Sequence, residues 1–306
     1  MYALGCVPSR KDYRDYRYSE HFPVTAEEQL PSSFSYPKLP PEVWDQGQYP
    51  MCVGFAVAMW VTIMNAVERG VWEEYSPAYA YCNRYPGQYM GPGAEPRDIL
   101  ANLIKDGDCK RSTFNKSYHA PLPSDITPEM RNEATPQKAL SYCAVQTVRE
   151  IKTAIMKTGP VLYCIPVHWN FYSPMSDGTI DPTDQWGGFA GGYHATLAVG
   201  WKPGYWRILN SWGKGWGQNG YCWLPWDYPL SEAWAVTDFV PRGKTIELWI
   251  GKSTARVNGA EVKLDQPPSI NPLTSRTLVP LRFVSEVLGA AVEWDEADKK
   301  ITITRD

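Results

Sequence analysis

Residues 45–68 read DQGQYPMCVGFAVAMWVTIMNAVE, a polar loop running straight into an apolar segment. The loop holds Gln46 and Gly47, and Cys52 opens the segment. Apolar side chains then recur on several helical stripes at once: Phe55, Met59 and Ile63; Ala56, Trp60, Met64 and Val67; Val53, Val57 and Val61. A helix that is apolar nearly all round is buried on every side. Polar residues arrive late, at Thr62, Asn65, Glu68 and Arg69, and Gly70 is placed for a left-handed C-terminal cap. The spacing predicts a buried central helix with Cys52 at its N-terminus.

Two readings of Cys52 follow. Unpaired backbone N–H groups and the positive end of the helix dipole favour a thiolate there, which suits a nucleophile. A free cysteine is also one of the most buried residue types and often only fills space.

The chain has 306 residues, enough for a sizeable core and more than one domain. Its net charge of -3 argues against nucleic acid as a partner. The central helix is closed too early by Glu68 and Arg69 to read as a membrane span. The N-terminus lacks the basic start and apolar core of a signal peptide. Three expectations remain: the protein stays inside, leaves by another route, or begins after processing. Seven cysteines (Cys6, Cys52, Cys82, Cys109, Cys143, Cys164 and Cys222) are scattered without the close spacing of a zinc site, so no metal or other cofactor is expected. Six of them could pair and leave Cys52 free, and reduced buried thiols fit equally well.

Residues 1–40 show no sustained period and read as an extended segment, either a surface strap or a short inhibitory leader across a groove, with the strap favoured. Ser76-Pro77 starts a helix, and Pro96 to Lys105 forms another ended by Gly107. Between them lies a glycine-rich loop whose Gly91 and Gly93 allow a peptide backbone to approach, or simply make a turn. Thr147 to Thr158 reads as an amphipathic helix, and Val161 to Ile165 as a buried strand. Strands dominate from there to about Val240, so helices early and strands late predict two unlike halves with a cleft between them.

His194 stands in the strand-like run GGYHATLAVGW, and Lys202-Pro203-Gly204 signals a turn before the next strand, Tyr205 to Asn210. A hairpin centred near residue 203 sets His194 opposite residue 212 and diagonal to Asn210, on one face. An amide oxygen there can accept the imidazole N–H and fix its tautomer. That gives a Cys–His–Asn set in which the third group orients the base. Trp212 and Trp216, in the glycine-rich loop that follows, either cover this pair or fill the core.

At these residues the sequence resembles the papain-like cysteine peptidases. DQGQYPMC, YHATLAVGW and NSWGKGWGQNGY occur in the family order, and the resemblance covers about residues 1–242. It implies an α+β fold of two subdomains, a helical half and a β-barrel-like half with a cleft between them. It also implies Cys52 as nucleophile, His194 as general base and then acid, Asn210 as orienting group, and Gln46 as a donor to the oxyanion hole. Trp212 would shield the His194–Asn210 bond and, with Gly91 and Gly93, border the substrate. Tyr49 stands where many members have a disulfide cysteine, and Val53 replaces the usual tryptophan; neither removes a catalytic group. LGCVPSRKDYRDY looks like the leader of bacterial and archaeal relatives.

After Pro241 the pattern restarts with alternating Ile246, Leu248 and Ile250, an Asn258-Gly259 hairpin, a helix from Leu281 to Leu288 ended by Gly289, and two closing strands. Residues 243–306 thus form a small α+β domain. VNGAEVKLDQPP, RTLVPLRFVSEVLGAAVEWD and KKITI resemble the stalk-like domain named after the N-terminal region of copper amine oxidases, recurrent in surface and secreted bacterial proteins. No copper site is implied, since 243–306 contain neither His nor Cys.

The expected organisation is leader or strap 1–40, peptidase 41–242 and stalk-like domain 243–306. The expected activity is hydrolysis of protein or peptide substrates, with the closing domain serving adhesion or spacing at a cell wall or surface. Two rivals are a hydrolase or transamidase acting on peptidoglycan peptides, and a catalytically silent binding protein.

Overall fold

The computed structural model describes residues 2–10, 15–83, 92–115, 123–237, 246–257, 260–287 and 290–304. The chain divides into two units, Met1–Phe239 and Val240–Asp306.

The first unit is organised around helix α2 (Cys52–Arg69), which follows a short α1 (Tyr18–His21). Residues Cys52 to Ala66 are all buried, as the all-round apolar pattern requires, and Gly70 closes the helix with φ 72°. By length and composition α2 could cross a bilayer, but 83% of it is enclosed by its own unit, which accounts for its apolar surface. Helix α3 (Pro77–Cys82) starts where the Ser76 side chain accepts from Tyr79 N, and α4 (Pro96–Asp106) ends at Gly107 with φ 79°. A side chain at Gly54 would meet the Pro77 carbonyl oxygen at 2.6 Å, so this glycine lets α2 and α3 touch. After α5 (Pro128–Ala134), α6 (Val148–Lys157) carries a full capping box between Thr147 and Glu150 and packs on the sheet.

The sheet joins β1 (Phe34–Ser35), β2 (Ser141–Ala144), β3 (Val161–His168), β4 (Phe189–Lys202), β5 (Tyr205–Leu209), β6 (Tyr221–Pro225) and β7 (Glu232–Thr237). Its order is β2-β7-β3-β4-β5-β6, with β1 added to β4, and every pairing is antiparallel. Helix α2 packs against β4, the strand that carries His194.

The β4–β5 hairpin contains an irregularity that decides the site. Near the turn Lys202 pairs with Tyr205 and Trp201 with Trp206, but beyond a bulge at Val199 the partners become Ala198 with Ile208 and Leu197 with Leu209. One extra residue in β4 changes the parity of the pairing, because side chains alternate faces along a strand. Carried on from the turn without a bulge, the first register would put His194 and Asn210 on opposite faces; with the bulge they share one.

The second unit holds β8 (Ile246–Leu248), β9 (Thr254–Val257) and β10 (Ala260–Lys263) in one sheet, then β11 (Ser269–Ile270) paired with β12 (Thr277–Leu278). Helix α7 (Leu281–Val287) and the hairpin of β13 (Ala291–Asp295) and β14 (Lys300–Thr304) complete it. The β8 strand stops at Leu248, short of the expected alternation to Ile250, which lies in a turn ahead of Gly251 with φ 78°. Asn258, Gly259 and Gly289 lie outside the described residues.

Candidate active site

Cys52 is the first residue of α2 and is fully buried. Its thiol is hydrogen-bonded by the backbones of Ala195, Gly5 and Val53, so it sits beside the residue that follows His194. His194, also fully buried, donates from Nε2 to Asn210 Oδ1 at 2.7 Å. The same oxygen accepts from Ser211 N at 2.7 Å, which fixes the amide with its oxygen toward the imidazole. His194 Nδ1 is then the unprotonated nitrogen, and it has no hydrogen-bond partner.

Trp212 covers this pair. Its ring lies 4.5 Å from the His194 ring, with Tyr172 stacked at 5.5 Å and Phe171 and Trp216 edge-on. Water is thereby kept from the His194–Asn210 bond, which strengthens it.

Gln46 lies in the loop before α2 and is 2% exposed. Its Oε1 accepts from Ser211 Oγ at 2.6 Å, while Nε2 donates to Tyr49 O at 2.8 Å and to Ala3 O at 3.2 Å. Ser211 therefore holds both the orienting amide and the Gln46 amide. Read from the sequence, it is only a turn residue.

The N-terminal residues run across the same place. Tyr2 stacks on Trp212 at 4.5 Å and 4°, the Ala3 carbonyl meets Gln46, and Gly5 and Cys6 adjoin the Cys52 thiol. Ala94 N donates to Gly5 O at 2.8 Å, Val7 N to Ala94 O at 3.0 Å and Cys6 N to Tyr193 O at 3.3 Å. Residues 2–9 thus bond to the helical half through Ala94 and to the sheet half through Tyr193. Gly93 adjoins them: a Cβ there would lie 2.5 Å from Gly5 O. Gly91 lies outside the described residues.

This cover changes the electrostatics expected at the helix terminus. Burial pushes the Cys52 thiol up to about 12, aided by the Cys6 thiol and against the pull of the three backbone donors. Burial likewise drives His194 down to about 4, opposed by the Asn210 bond. With the N-terminal residues in place the pair is a neutral thiol and a neutral imidazole. The thiolate expected from the helix dipole alone is overridden by desolvation.

Residues 45–228 match the family model described as Papain family cysteine protease, and residues 236–303 match that of the Copper amine oxidase N-terminal domain. Cathepsin B-like cysteine proteinase 2 of Haemonchus contortus is 35% identical over 85 residues, 26% of this chain. The match takes in 24% of that relative, so the chain spans about a quarter of its length. Xylellain, a cysteine protease from Xylella fastidiosa, has a similar fold, with a TM-score of 0.66 and 22% identity over 78% of this chain and 96% of that one. Procathepsin B S9 from Trypanosoma congolense aligns with a TM-score of 0.60 and 17% identity, over 76% of this chain and 85% of its own.

Proposed function

The chain belongs to the papain family of cysteine proteases, and from that premise we propose that it cleaves peptide bonds with Cys52, His194, Asn210 and Gln46, and that residues 2–9 silence it until they leave the cleft. The reading rests on one observation above the others. A tautomer-fixed histidine, His194, lies under Trp212 with Nδ1 unpartnered, and the next residue bonds the Cys52 thiol.

In the reaction His194 Nδ1 takes the Cys52 proton as the sulfur attacks the substrate carbonyl carbon. Negative charge moves onto the carbonyl oxygen, where Gln46 Nε2 and the Cys52 backbone N–H receive it. In support, Gln46 Nε2 already donates to a carbonyl, that of Ala3. The C–N bond then breaks, the imidazolium gives its proton to the leaving amine, and an acyl thioester remains. Water, deprotonated by His194, attacks the thioester and releases the carboxylate and the Cys52 thiol. Asn210 holds the ring in place throughout, with Trp212 as its cover.

Substrates by this reading are proteins or peptides laid between the Gly93–Ala94 edge and Tyr193, the two walls that the leader now occupies. Residues 1–40 are then the leader, 41–242 the peptidase and 243–306 an accessory unit for adhesion or spacing at a cell surface.

The test is alkylation by an epoxide selective for activated thiolates, read by peptide mass mapping, with hydrolysis of a fluorogenic peptide in parallel. The intact chain should label slowly, and the chain clipped after residue 9 should label at Cys52 and hydrolyse the peptide. Cys52→Ala and His194→Ala should do neither. A clipped chain that labels at Cys52 no faster than at its other thiols would sink the reading.

A further inference from the structure

Beneath the leader lies a cluster of donors that the peptide-cleaving chemistry does not use. Cys164 on β3 and Glu232 on β7 are direct cross-strand partners, so their side chains rise from the same face of the sheet. The leader lays Cys6 onto that face, with Cys6 N bonded to Tyr193 O and Ser9 N bonded to Glu232 Oε1 at 2.9 Å. The two sulfurs and a Glu232 carboxylate oxygen all fall within 4.8 Å of one another, and the Cys6 and Cys164 thiols are within hydrogen-bonding reach.

We propose that Cys6, Cys164 and Glu232 form a site for a thiophilic divalent cation, zinc by its chemistry, assembled only when the leader is docked. Zinc takes thiolate sulfur at about 2.3 Å and carboxylate oxygen at about 2.0–2.2 Å in a tetrahedron, which puts its ligands roughly 3.5–4 Å apart. The observed spacing needs only a small contraction to reach that. Two sulfurs and one carboxylate select zinc over magnesium or calcium, which take oxygen ligands. Glu232 is already braced as a ligating carboxylate should be, by Ser9 N on one oxygen and by Trp234 Nε1 on the other at 2.7 Å. The proton balance is simple: the cation enters, the two thiol protons leave, and the carboxylate contributes its existing charge.

The cation would staple the leader to the sheet next to the nucleophile, since the Cys52 thiol interacts with those of both Cys6 and Cys164. No sequence spacing announces such a site, because its ligands stand at positions 6, 164 and 232. It requires the leader in place but not catalysis, so a dead enzyme would still carry it.

The experiment uses the full chain, stripped by chelator and kept reduced. Zinc affinity is measured by competition with a chromophoric chelator, and cobalt(II) is added separately to look for thiolate-to-metal charge-transfer absorption. One zinc per chain is expected, with the charge-transfer band present and Cys52 alkylated more slowly when zinc is bound. Cys6→Ser and Glu232→Gln should each weaken zinc binding by about tenfold or more. Cys6→Ser alters only the leader, so its unchanged melting temperature without metal separates lost ligation from lost folding, whatever Cys164→Ser does in the core. Equal zinc affinity in wild type and Cys6→Ser, or a cobalt complex without the thiolate band, would overturn the proposal. So would a Cys6–Cys164 disulfide that forms in preference to zinc binding under the same reducing conditions.

Discussion

Near Cys52 the partners of a polar side chain say what it is for, with Gln46 the plainest case. Its amide is pinned from one side by Ser211 and extends its N–H to a leader carbonyl. Gln46→Ala should lower kcat of the leader-free enzyme about 10²- to 10³-fold, with KM nearly unchanged, in steady-state peptide hydrolysis. His194 gives a different signature. Its ordinary value of 6.5 falls to about 4 in the folded, leader-covered chain, so the unfolded chain takes up a proton there before the folded one does. Stability is therefore complete above about pH 6.5 and drains away as pH falls toward 4, by roughly 3 kcal/mol from this group. Denaturant titrations across that window should show the slope, and His194→Gln should flatten it. The residue types at the site were legible in the sequence. Their protonation states were not, because burial by residues 2–9 acts on Cys52 across more than forty positions of chain.

Helix α2 and the β4–β5 hairpin were readable because each carries a periodic signal and a stop: an all-round apolar surface ended by Gly70, and strand-like runs on either side of Lys202-Pro203-Gly204. The bulge left no such mark, since Val199 is one more apolar residue in an apolar strand. Its effect is nonetheless decisive. Centring the hairpin on residue 203 gives the pairing seen beyond the bulge, whereas the turn itself pairs Lys202 with Tyr205 and is centred half a residue later. Deleting Val199 should restore regular pairing with Ala198 still opposite Ile208 and His194 still on the face of Asn210. Denaturant titration should show the variant destabilised by roughly 1.5–3 kcal/mol, the cost of taking the buried Val199 side chain out of the core. Undiminished stability after the deletion would show that the hairpin re-forms its register and fills that space.

Taken whole, the chain divides into two compact units, and the site lies within the first. A chain ended at residue 242 should label at Cys52 as fast as the full one once both are clipped at the leader, as measured by the alkylation rate. The leader's hold on the body is also local. A Cβ at Gly5 would sit 2.1 Å from the Pro50 carbonyl oxygen, a clash with rigid backbone. Gly5→Ala should lift the leader and raise Cys52 labelling of the intact chain about tenfold, for roughly 1–3 kcal/mol of strain. The enzyme beneath is unaltered, so the clipped forms of variant and wild type should be indistinguishable. If the leader silences the enzyme as proposed, its tether to the body it covers makes it act at an effective concentration in the millimolar range, whatever the amount of protein in solution. Dilution cannot free the cleft of an intact chain. A single cut converts the same peptide into an ordinary dissociable ligand, lost to bulk volume at nanomolar protein. Activation by that route behaves as a ratchet.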